Sequence, residues 1–222
     1  AARLVAVARF EIEDYGTVLG LPPEKFALIP NGTDVGFGDG AVVAGEPATP
    51  VLATIGRLER YKGHHRVLAA FPLVLEREPD ARLLIVGNGP YEEELRRQAE
   101  DLGVSDRVEI TSVPPDDPGG MATLLGGVSL VVLMSDFETH PLVALEAAAA
   151  RRRLLVADQG GLGELVADGF ARGIAPEAAP DLIAAAIVEE LAKPQPERSP
   201  ELTSWDECAS ALLDLYGSVI RS

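Results

Sequence analysis

Leu130-Val131-Val132-Leu133-Met134-Ser135-Asp136-Phe137-Glu138-Thr139-His140-Pro141-Leu142-Val143-Ala144-Leu145-Glu146 is the stretch from which the rest of the chain can be read. Five apolar residues lead into a polar turn. Pro141 suits a first helical position, and 142–150 is strong helix-forming sequence, so the order is strand, tight turn, helix. Glu138 falls in the turn, at the carboxyl end of a buried strand. Glu146 falls about a turn and a half into the helix. A carboxylate among Leu145, Ala147, Ala148 and Ala149 is costly to bury unless something polar meets it. Spacing alone favours the plainer reading, with Glu138 a turn residue and Glu146 a solvated helix position.

Outward from this stretch, strands and helices alternate. Strands are expected at 51–55, 81–86, 108–111, 128–134 and 153–157, with helices at 64–78, 91–102, 121–125, 141–150 and 180–192. That alternation predicts a parallel sheet covered on both faces, an α/β Rossmann-like architecture. In such sheets ligands bind at the carboxyl ends of the strands. Gly56-Arg57-Leu58 with Lys62-Gly63, then Gly87-Asn88-Gly89-Pro90, and then Glu138 all fall there. The Gly-Asn-Gly turn lacks the third glycine and downstream acid of a dinucleotide fingerprint, which argues against an oxidoreductase.

Composition narrows the classes. The chain has 222 residues and 47% hydrophobic residues, enough for one Rossmann-sized domain with extensions. Its single cysteine, Cys208, allows no internal disulfide. A formal net charge of −16 repels phosphate backbones and argues against general nucleic-acid binding. Lysine is scarce: Lys25, Lys62 and Lys193 stand beside 16 arginines, as in salt-loving organisms or GC-rich coding. No apolar run is long enough to span a membrane; membrane contact is otherwise undetermined, and a cytoplasmic location is expected. The chain opens Ala-Ala-Arg in structured-looking sequence and reads as part of something longer. Residues 1–49 read as an interdomain segment and linker, with 36–50 rich in Gly, Ala and Pro. Residues 50–192 read as the main domain, and 193–222 as a linker and a terminal helix that Ser204 caps.

Four segments in order resemble the second half of retaining glycosyltransferases of the GT-B fold, the group 1 or family-4-like enzymes. They are Gly56-Arg57-Leu58 with Lys62-Gly63, Gly87-Asn88-Gly89-Pro90, Asp106-Arg107-Val108 before a strand, and the Glu138-x7-Glu146 stretch; Ile29-Pro30-Asn31-Gly32 resembles the segment that enters that half. The resemblance implies a nucleotide-sugar donor site. Arg57 and Lys62 would reach the donor diphosphate, Val113 would lie near the base, and Glu138 near the transferred sugar. Main-chain N–H groups around His140, Pro141, Leu142 and Val143 would meet the sugar or diphosphate; Pro141 has none, leaving Leu142 and Val143. Glu146 would accept from the ribose hydroxyls. Fixed cations suit this chemistry because charge develops on the departing diphosphate. No cofactor or metal is implied; UDP and GDP both remain open as the donor's nucleotide. The implied partner is the N-terminal GT-B domain of a full-length protein, without which this chain would be inactive.

Three departures from the family pattern stand out. Ser112 replaces the usual glycine after the third strand. Arg151 and Arg153 stand where glycine and proline are usual. The run Arg151-Arg152-Arg153 reads either as a basic edge or as drift toward a non-catalytic nucleotide-sugar-binding or partner-binding module. His64 and His65 read as helix surface, and His140 as a residue that shapes its turn.

Overall fold

The computed structural model describes residues 3–33, 47–114, 117 and 119–220. Most of the expected 36–50 linker lies outside the described residues, as do parts of the 114–120 loop.

Six strands form the main sheet: β3 (Val51–Ile55), β4 (Arg82–Val86), β5 (Val108–Thr111), β6 (Leu130–Leu133), β7 (Arg153–Ala157) and β8 (Arg172–Ile174). All pair in parallel, in the order β5-β4-β3-β6-β7-β8. The three central strands are buried along nearly their whole length, which is why they read as continuous apolar runs rather than alternating ones. Between strands run α2 (His64–Leu75), α3 (Glu92–Asp101), α4 (Gly120–Gly126), α5 (Leu142–Ala149) and α6 (Gly160–Ala167). Right-handed crossovers put α2 and α3 on one face of the sheet and α5 and α6 on the other. After β8, α7 (Pro180–Leu191) returns to pack on α2.

The strand order reverses direction at the β3–β6 pair. Successive connections run one way from β3 and the other way from β6, and here the crevice expected between such connections is bridged by contacts between the turns after the two strands. That is the topological switch point, where doubly wound sheets bind their ligands. The turn after β3 carries Arg57 and Lys62, and the turn after β6 carries Glu138.

A smaller unit comes first. β1 (Leu4–Ala6), α1 (Arg9–Leu19) and β2 (Phe26–Leu28) form a strand–helix–strand with a two-stranded parallel sheet of its own. The last helix, α8 (Trp205–Ile220), begins with a reciprocal cap. Ser204 Oγ accepts the Glu207 N–H at 3.2 Å, and the Glu207 carboxylate accepts the Ser204 N–H at 2.8 Å. Among the described residues no helix is long and apolar enough to cross a membrane.

Several expectations need correction. The sheet has a sixth strand, β8, that no apolar run announced: it is three half-buried residues, Arg-Gly-Ile, on the sheet edge. Pro141 sits just before α5 rather than inside its first turn. The arginine run is not a basic edge. Arg152 and Arg153 are buried, at 1% and 3% exposure. The Arg153 guanidinium donates to the carbonyls of Glu190 (2.9 Å) and Leu191 (2.8 Å) and to that of Lys193, so it caps the carboxyl end of α7. Only Arg151 is exposed, in the left-handed conformation (φ 54°) that the usual glycine would adopt without strain.

Candidate functional site

The first wall of the crevice is the segment between β3 and α2. It passes through a single 3-10 turn, Arg60–Lys62, and ends at Gly63. Gly63 has φ 73°, and a Cβ there would lie 1.9 Å from the Met134 carbonyl oxygen. Only glycine lets this turn press against the end of β6. The contact brings Lys62 across to the second wall.

That second wall runs from Ser135 to Pro141. Lys62 Nζ lies 2.6 Å from Glu138 Oε1, and Ser135 Oγ donates to the same oxygen at 2.9 Å. Both charged side chains are largely shielded from solvent, at 16% and 19% exposure. The Glu138 carbonyl accepts the Gly161 N–H at 2.8 Å, and Gln159 Nε2 donates to the Ser135 carbonyl at 2.9 Å. The turn is thus held from behind by the start of α6.

Arg57 is exposed. Its guanidinium donates to the Tyr61 hydroxyl at 2.7 Å and pairs with Glu59 at 3.0 Å. Lys62 Nζ stands 5.2 Å from the centroid of the same Tyr61 ring, so both cations of the first wall touch Tyr61. Sequence reasoning did not single out this tyrosine.

His64 is a larger correction. It is buried, at 1% exposure, not on the helix surface. Its Nε2 lies 3.1 Å from the Arg57 carbonyl and its Nδ1 2.9 Å from Thr54 Oγ1. A carbonyl can only accept, so Nε2 carries the proton and Nδ1 accepts from the Thr54 hydroxyl. Burial brings the imidazole down to about 4, against the opposing pull of the Arg57 carbonyl, so it is neutral at pH 7. The ring ties the backbone of Arg57 to the middle of β3. The signal was present in the sequence: His64, Val67, Leu68 and Phe71 follow helical spacing, and all four are buried.

Glu146 lies in the second turn of α5. Burial raises its carboxyl above the ordinary range, with a hydrogen bond from the Thr33 side chain opposing. Thr33 also donates its N–H to the Thr203 carbonyl at 2.9 Å. The residues just after β2, the start of α8 and Glu146 therefore meet. The Leu142 N–H donates to the His140 carbonyl at 2.9 Å. Val143 stands in the first turn of α5, packed on the core. His140 is half-buried, and burial lowers its pKa while Glu164 and Glu11 oppose that. Val113 follows β5 and packs against the core. The structure therefore joins Lys62 and Glu138 directly, sets Arg57 beside them through Tyr61, and puts Glu146 in the next helix. Among the described residues there is no cluster of three or more His, Cys, Asp or Glu able to hold a metal ion.

Comparison with known proteins gives the chain a family. Residues 44–202 match the model of the family "Glycosyl transferases group 1". The D-inositol 3-phosphate glycosyltransferase of Segniliparus rotundus is 32% identical over 99% of this chain and 53% of that protein. The chain belongs to the glycosyl transferases group 1 family. Another relative is the GDP-mannose-dependent alpha-(1-6)-phosphatidylinositol monomannoside mannosyltransferase of Mycolicibacterium smegmatis. It is 33% identical over 66% of this chain and 40% of that protein. Anabaena HepE, solved in complex with UDP and glucose, shares the fold with a TM-score of 0.74 at 20% identity, over 98% of this chain and 63% of that one. As a family member, the chain spans about half the length of the curated relatives it matches, 53% for the Segniliparus protein.

Proposed function

We propose that this chain is the donor-binding part of a retaining glycosyltransferase that moves a sugar from a nucleoside-diphosphate sugar to an acceptor hydroxyl. The observation that carries the reading is the Lys62–Glu138 pair at the switch point, with a half-buried carboxylate, Glu146, in the helix that follows. In the reaction the bond from the sugar's anomeric carbon to the diphosphate breaks. The acceptor oxygen bonds to that carbon on the same face, and its proton passes to the departing phosphate oxygen. Negative charge accumulates on the departing diphosphate. Lys62 stabilises it as a point charge, and Arg57 swings from Tyr61 to grip two phosphate oxygens. Glu138 orients the sugar, the Val143 N–H at the start of α5 meets the sugar or diphosphate while the Leu142 N–H is held by the His140 carbonyl, and Glu146 accepts from the ribose hydroxyls. Val113 borders the base, which is that of UDP or GDP. The acceptor half of the cleft belongs to an N-terminal domain of the full-length protein. The isolated chain therefore binds donor without turning it over. A cytoplasmic location fits a nucleotide-sugar donor.

The rival reading, a non-catalytic nucleotide-sugar-binding or partner-binding module, draws on the arginine run and on the glycines replaced at Ser112 and Arg151. Arg153 has a structural task at the end of α7, and Arg151 occupies the glycine position with the glycine's conformation. The run therefore lends that reading no support. Calorimetric titration of UDP, GDP and ADP into wild type, Lys62→Ala and Glu146→Ala tests the proposal. Saturable binding of one nucleotide, weakened by both substitutions, supports it. Binding indifferent to both would overturn the assigned site, and activity of the isolated chain would overturn the need for a second domain.

A further inference from the structure

Next to the Lys62–Glu138 pair lies an open cleft of about 560 Å³, lined by Glu59, Arg60, Tyr61, Pro90, Tyr91 and Asp136. None of the six belongs to the donor-binding set. Two turns form its walls, one after β3 and one after β4, and main-chain bonds stitch them together. The Leu58 N–H donates to the Asn88 carbonyl, and the Tyr91 N–H to the Leu58 carbonyl, both at 2.9 Å. On a third side the Asp136 N–H donates to the Tyr61 carbonyl at 2.7 Å. The cleft is therefore built into the fold, and its volume falls in the range of small-molecule sites.

Both of its carboxylates are already paired, and its one guanidinium is hydrogen-bonded. Glu59 pairs with Arg57 at 3.0 Å, Asp136 with Arg66 at 2.7 Å, and Arg60 donates to the Tyr91 hydroxyl at 3.2 Å. A bare phosphate entering here meets two carboxylates, and a bare cation meets Arg60, so neither sign is favoured. What the cleft offers instead is two phenol rings and a proline ring within a rim of hydrogen-bond donors and acceptors. A pyranose presents the complement: an apolar C–H face bordered by hydroxyls that both donate and accept.

We propose that this cleft is a second carbohydrate subsite, which binds a neutral pyranose unit beside the donor. Tyr61 and Tyr91 pack on the ring, Glu59 and Asp136 accept from its hydroxyls, and Arg60 donates. Tyr61 immediately precedes Lys62, and Asp136 stands two residues before Glu138, so the bound ring is a near neighbour of the donor site. Its assignment to acceptor recognition rests on the proposed function; sugar binding itself does not.

The test is amide-shift mapping by NMR on this chain, titrated with methyl α-mannopyranoside and methyl α-glucopyranoside, with inorganic phosphate as the anionic control. Saturable shifts at Tyr61, Tyr91 and Asp136 are expected with at least one sugar. Tyr91→Ala weakens that binding by about fivefold, while Tyr91→Phe, which keeps the ring, retains most of it. Lys62→Ala weakens nucleoside-diphosphate binding at least about tenfold and sugar binding by far less. The proposal is overturned if neither sugar gives saturable shifts, if a folded Tyr91→Ala binds as wild type does, or if phosphate alone shifts these amides. Sugar binding without any nucleotide binding would instead overturn the proposed function and leave this subsite standing.

Discussion

The ammonium of Lys62 and the carboxylate of Glu138 meet at 2.6 Å across 76 residues of sequence, because the turns that carry them follow hydrogen-bonded neighbours, β3 and β6. Each is the other's nearest opposite charge. Replacing Lys62 by Ala leaves Glu138 with only the neutral Ser135 hydroxyl, in a place with little water. Lys62→Ala should cost about 1–3 kcal/mol of stability in urea unfolding. It should also lower nucleoside-diphosphate affinity at least about tenfold by calorimetry. Glu138→Gln can still accept from both Lys62 and Ser135, so its stability should fall by less.

His64 predicts a pH dependence of stability. Its folded pKa, about 4, lies below the ordinary 6.5, so protonation favours the unfolded chain. The contribution is whole above pH 6.5 and is lost as pH falls from 6.5 toward 4. Its size is about 3 kcal/mol by proton linkage. His64→Gln should be less stable than wild type at pH 7.5, with a flatter stability profile between pH 6.5 and 4. Denaturant midpoints at each pH measure both.

Glu146 works in the opposite sense. Its folded pKa is raised by burial, so its favourable contribution exists at low pH and is lost as pH rises through the folded value. Burial thus weighs against the ionised form in the folded chain. Glu146→Gln should therefore raise the melting temperature at pH 7.5 and lose that advantage in acid, while nucleotide affinity falls. A variant that lowers the melting temperature at neutral pH would contradict this account.

Gly161 supports the Glu138 turn at close range. A Cβ there would lie 2.1 Å from the Thr139 carbonyl oxygen and 2.9 Å from Pro141 Cδ. Gly161→Ala should cost about 1–3 kcal/mol and push the turn away from Lys62. Donor affinity should fall together with stability, in contrast to Glu146→Gln, where the two part.

Arg151→Gly should do the reverse. It removes a side chain from a left-handed position at the surface, between α5 and β7. A gain of about 1 kcal/mol is expected in thermal or urea unfolding, with no change in nucleotide binding.

The central strands were legible because burial on both faces leaves a run of apolar residues and nothing else; β3, β6 and β7 all show it. β8 was not legible. It is short, half-buried, and its pairing is decided by β7 rather than by its own side chains. The turn residues of the site could be located because they stand at strand ends, where chemistry collects in this architecture. The partner of each could not. That Lys62 meets Glu138 follows from strand order, which no local pattern carries. Arg153 looked like a charge on an edge because its helix-capping carbonyls lie 37 to 40 residues further along the chain. His64 was misread as surface beside a second histidine, although the apolar stripe it heads was there to be counted.

Glu164 accepts the Phe10 N–H at 2.7 Å and Arg9 Nε at 3.2 Å, while Arg9 Nη2 reaches Asp168 at 2.7 Å. The first turn of the same α6 helix holds the Glu138 carbonyl through Gly161. α6 is thus fastened to α1 along one side and to the Glu138 turn at its tip, so a tilt of the opening strand–helix–strand unit is expected to shift Glu138 with it.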